Sequence, residues 1–219
     1  MEESQVKQQA YFDRISAEFD GHYATKKGPW EMFIDRIFRQ GMVQRWDYLM
    51  QKMDWTNQSI VDIGCGPGRY MAAFVGKGAK HVFGLDFAPS MIEVARNNLR
   101  AVNALDKCEL AVGDSLTYDF GDRKFDSVIA MGYYDYILGQ QALDQHFKRM
   151  WDLASKRVVA SFPYRFSFKT FPRWVWLSAR NCPVQFYSVA DVEAMMKRLG
   201  ISKYQLIRMS GTILAIAER

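Results

Sequence analysis

The sequence contains few cysteines, and their spacing excludes two classes of protein. Cys65, Cys108 and Cys182 are the three cysteines among 219 residues, and no two of them form a Cys-x-x-Cys pair. An odd number without paired spacing argues against both a disulfide framework and a structural zinc site. Such cysteine usage is typical of a reducing compartment, so we expect a cytoplasmic protein.

Long apolar runs, repeats and metal-binding clusters are missing from the sequence as well. No run approaches the roughly 18–20 apolar residues that a membrane span requires, and the polar start, Met1 to Gln5, lacks the regions of a secretory signal. The three histidines are not grouped with acids at metal-ligand spacing, so we predict no metal. With 49% hydrophobic residues, a chain of this length is expected to fold as one domain.

A glycine-rich turn after a short apolar run is the most informative segment that is present. Residues 59–63 are typical of a buried strand, and Asp62 leads into Gly64, Gly66 and Gly68 before a helical stretch. A strand, glycine turn and helix in this order lets the backbone approach a nucleotide-like ligand closely. A dinucleotide fingerprint would need its third glycine at position 69, which is Arg69.

Three further strand ends follow at regular intervals. Asp86 ends the second apolar run, 24 residues after Asp62, where a carboxylate can accept hydrogen bonds from two ribose hydroxyls. Gly113-Asp114 follows the third run, and Met131-Gly132 follows the fourth.

These four strand ends, in this order, resemble motifs I to IV of the class I S-adenosylmethionine (SAM) methyltransferases. The resemblance covers roughly residues 55–160 and implies SAM as the cofactor. It implies that Asp62 faces the ammonium group of SAM and that Asp114 binds the adenine amino group. The residues predicted to bind the cofactor are Tyr11, Asp62, Gly64, Cys65, Gly66, Gly68, Asp86, Phe87, Met91, Asp114, Ser115 and Met131.

Alternating strands and helices predict an α/β fold with a Rossmann-like, seven-stranded, mostly parallel sheet and helices on both faces. The short gap Ser210-Gly211-Thr212 predicts a hairpin, so the last strand should be antiparallel to its neighbour. An N-terminal helical arm, residues 1–53, should precede the sheet domain, residues 54–219. Strands are expected at 59–63, 81–85, 108–112, 126–130, 157–162, 203–209 and 213–217, and helices at 68–77, 89–102, 140–154 and 189–199.

The arm and the loop after the fourth strand contain the predicted catalytic residues. Within the arm, the stretch 31–53 should pack on the sheet domain, with Arg45 on a solvated face. His22 is a candidate general base, and Tyr23 a candidate substrate contact. In the loop, Tyr133 and Asp135 are candidate catalytic groups and Tyr134 a substrate contact, or else the tyrosines form the pocket wall. His146, on the 140–154 helix, is expected on the surface.

A basic, aromatic segment over residues 162–186 is predicted to contact the substrate. Residues 148–208 contain 12 Lys and Arg against 3 Asp and Glu. In a lid over a large, flat or lipid-like anionic substrate, the aromatic residues would supply contact area, and Arg165, Lys169 and Arg173 would pair with carboxylate or phosphate. The same mixture suits peripheral contact with a membrane surface. Binding of nucleic acid is expected least, because no RNA-binding module is appended.

The sequence therefore predicts an enzyme, a SAM-dependent methyltransferase acting on an oxygen (carboxylate or hydroxyl) of an anionic or aromatic small molecule. The order of arm, core and Ala160-Ser161-Phe162-Pro163 is similar to ubiquinone-type and magnesium-protoporphyrin-type methyltransferases. Methyl transfer to nitrogen, carbon or RNA stays open, as do a SAM-binding regulator without catalysis and the oligomeric state.

Overall fold

The computed structural model describes residues 40–167 and 184–219. In these ranges the sheet strands alternate with helices along the chain. The helices are α1 Gln40–Lys52, α2 Arg69–Gly76, α3 Pro89–Ala101, α4 Gln140–Leu153 and α5 Val189–Arg198; the strands are β1 Ser59–Ile63, β2 His81–Asp86, β3 Cys108–Val112, β4 Phe125–Ala130, β5 Ala154–Pro163, β6 Tyr204–Met209 and β7 Thr212–Glu218.

The seven strands form one sheet in the order β3-β2-β1-β4-β5-β7-β6. Strands β1 to β5 pair in parallel, whereas β7 is antiparallel to both β5 and β6. Ser210 and Gly211 connect β6 to β7, and Gly211 has a φ of 74°, which glycine adopts readily. The strand order reverses between β1 and β4, and ligands of open α/β sheets bind at the carboxyl ends of strands flanking such a point. The predicted fold is confirmed.

Alternation along the strands separates the buried side chains into two cores, one on each face of the sheet. Within β1, Val61 and Ile63 belong to one core and Ile60 to the other, as the two-residue repeat of a strand requires. Residues of α4 and α5 pack in the first core, and residues of α1, α2 and α3 pack in the second. Helices therefore cover both faces, as predicted.

Helix α1 is the described part of the predicted 31–53 helix, and it packs on the sheet domain through Leu49. The prediction that Arg45 is solvated was wrong. Its Nη1 donates a hydrogen bond to Ser161 Oγ at 2.9 Å, across to a fully buried residue of β5. The face of α1 that carries Arg45 turns towards the sheet, so this side chain spans the distance between the helix and the carboxyl end of β5.

Candidate functional site

A small cavity lies at the carboxyl ends of the parallel strands, where the strand order reverses. It has a volume of about 30 Å³, room for roughly two water molecules. Five residues of the predicted cofactor set line it together with one predicted catalytic residue, Tyr133. The lining residues are Ile63, Gly64, Leu85, Asp86, Phe87, Gly113, Asp114, Ser115 and Tyr133.

The glycine turn between β1 and α2 has a backbone that other residues rarely adopt. Gly64, Gly66 and Gly68 have φ values of 69°, 50° and 77°. A Cβ at Gly68 would also lie 3.1 Å from Ala95 Cβ, so this glycine lets α2 begin close against α3. The turn is tied to β2, because the Gly64 N–H donates to the Leu85 carbonyl at 2.7 Å. The backbone is therefore held close to the cavity.

The Asp86 carboxylate fixes the turn and the start of α3 at the same time. Its Oδ2 accepts a hydrogen bond from the Gly66 N–H at 2.9 Å, and its Oδ1 accepts one from the Ala88 N–H at 3.0 Å. A carboxylate has about four acceptor positions, so both oxygens can accept further bonds. Asp86 can thus organise the loop and still receive hydroxyl groups of a ligand.

The carboxyl group of Asp62 is buried, and within the described part of the chain one of its oxygens lacks the hydrogen-bond donor that would compensate for the loss of water. It is 1% exposed, and among residues 40–167 and 184–219 its Oδ2 has no hydrogen-bond partner. Burial raises its pKa to about 8, and the nearby Asp86 charge acts in the same direction. A buried acceptor without a partner is costly. Asp62 Oδ2 can therefore accept a hydrogen bond from a ligand, and a cationic donor would favour the ionised form of the carboxyl group.

Three side chains from separate elements meet in a hydrogen-bonded triangle on the far side of the cavity. Ser115 Oγ lies 2.6 Å from Tyr133 Oη, and Tyr133 Oη lies 2.6 Å from His146 Nδ1. The third side, from Ser115 Oγ to His146 Nδ1, measures 3.1 Å.

The expectation that His146 lies on the surface was wrong. It is 5% exposed, because α4 turns the face carrying His146 and Phe147 inwards. Burial lowers the pKa of His146 to about 4, so the imidazole is neutral near pH 7. Burial also raises the pKa of the Tyr133 phenol. A phenol that resists ionisation and is already bonded is a poor base, so the geometry favours the wall alternative for Tyr133.

The next residues of the loop after β4 are directed into the protein. Tyr134 is fully buried, its ring stacks on Phe162 at 4.5 Å, and its hydroxyl donates to Met150 Sδ at 3.3 Å. The predicted substrate contact of Tyr134 is therefore replaced by a packing role. Asp135 is also buried, and its backbone carbonyl accepts a hydrogen bond from the Gln185 N–H at 2.9 Å.

Several members of the predicted cofactor set pack beside the cavity without lining it. Cys65 is buried, and its Sγ lies 3.0 Å from the position that a Cβ at Gly84 would take. Position 84 therefore needs a small residue. Burial raises the pKa of the Cys65 thiol, which favours the protonated form. Met91 and Met131 are likewise buried.

The predicted substrate residues fall mostly outside the described part of the chain. Tyr23, Lys169 and Arg173 lie outside it, and so do the predicted cofactor residue Tyr11 and the candidate base His22. Arg165 is described: it forms an ion pair with Asp191 at 3.3 Å and donates a hydrogen bond to the Phe186 carbonyl at 3.2 Å.

Sequence reasoning missed a polar node between β4, β5 and α1. The Gly132 N–H donates to Ser161 Oγ at 2.8 Å, and the same oxygen accepts the bond from Arg45. The node holds the start of the loop after β4. One signal was available, because Ser161 is a polar residue inside the otherwise apolar end of β5.

Metal-binding clusters and membrane-spanning helices are both absent from residues 40–167 and 184–219. There, no group of three His, Cys, Asp or Glu side chains could hold a metal ion. None of the helices in the same ranges is long and apolar enough to cross a membrane.

Comparison with known proteins agrees with the fold. Residues 60–156 match the family model of a methyltransferase domain. A tRNA U34 carboxymethyltransferase of Ectopseudomonas mendocina is 34% identical over 76 residues, which are 33% of this chain and 23% of that protein. Such matches span only 14 to 26% of the length of the curated relatives.

Two solved structures illustrate the similarity in fold. Magnesium protoporphyrin IX methyltransferase (ChlM) of Synechocystis PCC 6803, with bound SAH, has a TM-score of 0.77 at 18% identity, covering 98% of this chain and 99% of that one. An O-methyltransferase family protein of Burkholderia thailandensis has a TM-score of 0.67 at 15% identity, covering 85% and 58%. Residues 60–156 therefore match a methyltransferase domain, as predicted, and the two solved structures share its fold.

Proposed function

We propose that this chain, whose residues 60–156 carry a class I methyltransferase domain, transfers the methyl group of SAM to an oxygen of a small anionic or aromatic molecule. The single observation that carries the proposal is the buried, uncompensated carboxyl of Asp62 at the head of the glycine turn. A ligand with an ammonium group would give Oδ2 a donor and favour the ionised carboxylate.

SAM fits this requirement, because its methionine part carries an ammonium group. We propose that Asp62 and the turn from Gly64 to Gly66 hold the methionine part, and that Asp86 holds the ribose. Phe87, Asp114 and Ser115 would contact the adenine. The ChlM structure, which contains SAH, supports this assignment through its similar fold over the whole chain.

We assign the acceptor to the carboxyl ends of β4 and β5, next to the cofactor cavity. The start of the basic segment 162–186 lies there, and Arg165 is the second residue after β5. Tyr23, Arg165, Lys169 and Arg173 are the proposed acceptor contacts. Guanidinium and ammonium groups pair well with carboxylate or phosphate, which favours an anionic acceptor. The name of ChlM gives a small-molecule acceptor, and the Burkholderia thailandensis protein belongs to an O-methyltransferase family.

Methyl transfer from SAM does not require a covalent intermediate with the protein. Bound SAM supplies a methyl group on a sulfonium, which is already activated for in-line displacement. The protein has to align the acceptor oxygen and exclude water, and alignment of this kind is worth up to about 7–11 kcal/mol. A hydroxyl acceptor must also lose a proton. We propose Asp135 or His22 for that step, whereas a carboxylate acceptor needs neither.

Methylation of RNA is the second candidate, favoured by one observation. The carboxymethyltransferase that matches a third of this chain is named for tRNA U34. RNA binding would depend steeply on salt, because phosphate contacts release counterions. A small acceptor would show a much weaker dependence.

The two candidates can be separated with SAM labelled in its methyl group. The chain is incubated with the small-molecule fraction and with the tRNA fraction of a cell extract, and products are identified by mass. We expect label in an O-methylated small molecule, and this transfer should be lost in Asp62→Asn. Asp126→Asn, at the opposite end of the sheet, is the matched control and should retain it. Label in tRNA alone would contradict the proposal, as would failure of the wild-type chain to bind SAM.

A further inference from the structure

Tyr133 lines the cavity and spans from the glycine turn to Ser115, which line it as well. Its Cδ2 lies 2.9 Å from the position that a Cβ at Gly64 would take, so the ring is packed directly on the glycine turn. On its other side the hydroxyl reaches Ser115. The cavity that remains measures about 30 Å³, whereas pockets for small molecules are roughly 300–1,000 Å³. In this position the ring and an adenosine group would compete for the same space.

The hydroxyl of Tyr133 is held by two buried partners, one in the turn after β3 and one on α4. Ser115 follows β3 and His146 lies on α4, and both are less than 10% exposed. The neutral imidazole can accept through Nδ1 or donate through it, and in either tautomer the triangle keeps at least two hydrogen bonds. The edge of the Tyr133 ring also meets Tyr134 at a centroid distance of 5.4 Å.

Tyr133 packs against the edge of the first core and is not part of its buried interior. Its residue is only partly buried, in contrast to the fully buried Tyr134 beside it. It follows Gly132, whose φ of 77° marks the sharp turn out of β4. A turn of the ring towards solvent would cost its hydrogen bonds to the triangle and its packing against the edge of the first core.

We propose that Tyr133 is a gating residue for the cofactor pocket, and that Ser115 and His146 hold it in the closed position. The inference rests on the proposed function, because the ligand admitted is the adenosine part of SAM. When the phenol turns out, the space between Gly64 and Ser115 opens. The Ser115 hydroxyl and His146 Nδ1 are then free to bond polar atoms of the adenine. Cofactor binding thus has to overcome the closed population, which reduces the apparent affinity.

The decisive variant is Tyr133→Phe, which removes the hydroxyl and keeps the ring. We expect association with S-adenosylhomocysteine (SAH) to become about tenfold faster and the dissociation constant to fall by a similar factor. Binding is followed by stopped-flow fluorescence and by calorimetry. Tyr134→Phe is the matched control: it removes the neighbouring hydroxyl, which bonds to Met150 outside the cavity, and should leave both quantities unchanged.

A second variant tests the triangle independently. Ser115→Ala should change the association rate in the same direction by a smaller factor. Because both substitutions remove the same bond, their effects in the double variant should be less than multiplicative. If Tyr133 and Ser115 had only a structural role, the substitutions would change the thermal stability, but their effects on the SAH association rate would not be coupled.

Each other outcome would overturn the gate. Slower or weaker SAH binding by Tyr133→Phe would mean that the hydroxyl contacts the cofactor instead. Rates within twofold of wild type would mean that the triangle does not hold the ring closed. No binding of SAH by the wild-type chain would overturn the gate and the proposed function together, whereas binding with unchanged rates would overturn the gate alone.

Discussion

Replacing Asp62 by Asn should make the ligand-free protein more stable, and increasingly so as pH rises. The pKa of Asp62 is raised from 3.8 to about 8 by burial. Between these values the folded chain binds more protons at this site than the unfolded chain does. The wild-type free energy of unfolding therefore falls as pH rises from about 4 to 8. The limiting slope is about 1.4 kcal/mol per pH unit.

Asn has the same shape but cannot ionise, so this slope disappears in the variant. Relaxation of the site makes the loss in free energy of unfolding smaller than the limiting slope implies. We therefore expect Asp62→Asn to exceed the wild type in free energy of unfolding by about 1–3 kcal/mol between pH 6 and 8. The assay is equilibrium urea unfolding of both proteins at several pH values, without ligand. With saturating SAH the order should reverse, because ligand binding stabilises the wild type more strongly.

The matched control is Asp126→Asn, at the other end of the sheet. Burial is the largest single influence on the pKa of Asp126 and raises it, but hydrogen bonds from Ser59 and Lys156 together outweigh it, and the net shift is downwards. This carboxylate stabilises the fold above its ordinary pKa, so its removal should cost stability at neutral pH. If the difference between wild type and Asp62→Asn were constant across pH, the proposed ionisation of Asp62 would be refuted.

Two further predictions follow from other buried positions. The pKa of His146 is lowered to about 4, so the unfolded chain takes up a proton at this residue before the folded chain does as pH falls below about 6.5. The free energy of unfolding of the wild type should therefore fall by up to about 3 kcal/mol between pH 6.5 and 4. His146→Gln should flatten this loss in acid unfolding curves, and a curve parallel to wild type would contradict it. Gly84→Ala should cost about 1–3 kcal/mol by overpacking, since its Cβ would clash with Met71 and lie 3.0 Å from Cys65 Sγ. Gly76→Ala, whose Cβ meets nothing within 4 Å, is the control and should be neutral or stabilising in thermal unfolding.

The cofactor side of the fold could be predicted because its signals are local in the sequence. Asp62, Asp86 and Asp114 each stand at the end of an apolar run, and parallel strands bring such ends to one edge of the sheet. The hairpin at Gly211 likewise depends on neighbouring residues alone. Patterns of this kind are short, so a single sequence is enough to read them.

The triangle could not be predicted, because it depends on the orientation of a helix. His146 lies on α4, and its neighbours in sequence include charged residues that suggest a solvated face. Which face turns inwards is decided by the fit of Leu143, Phe147 and Met150 against the sheet. Arg45 was misjudged for the same reason on α1. A polar side chain on an amphipathic helix cannot be placed by period alone when it lies at the border of the apolar face.

The two halves of the candidate site therefore depend on different kinds of information. The glycine turn and Asp86 hold each other through main-chain bonds, so this half is defined by the backbone of the sheet. The half that we propose for the acceptor lies beside contacts between side chains of separate elements, such as that of Arg45 with Ser161 across α1 and β5. A change of acceptor needs only a few substitutions in the second half, whereas a change of cofactor would require a different turn. Relatives that match this chain over 76 and 82 residues are named for unlike substrates, tRNA U34 and ribosomal protein L11. Labelled transfer, more than further sequence comparison, can therefore identify the acceptor.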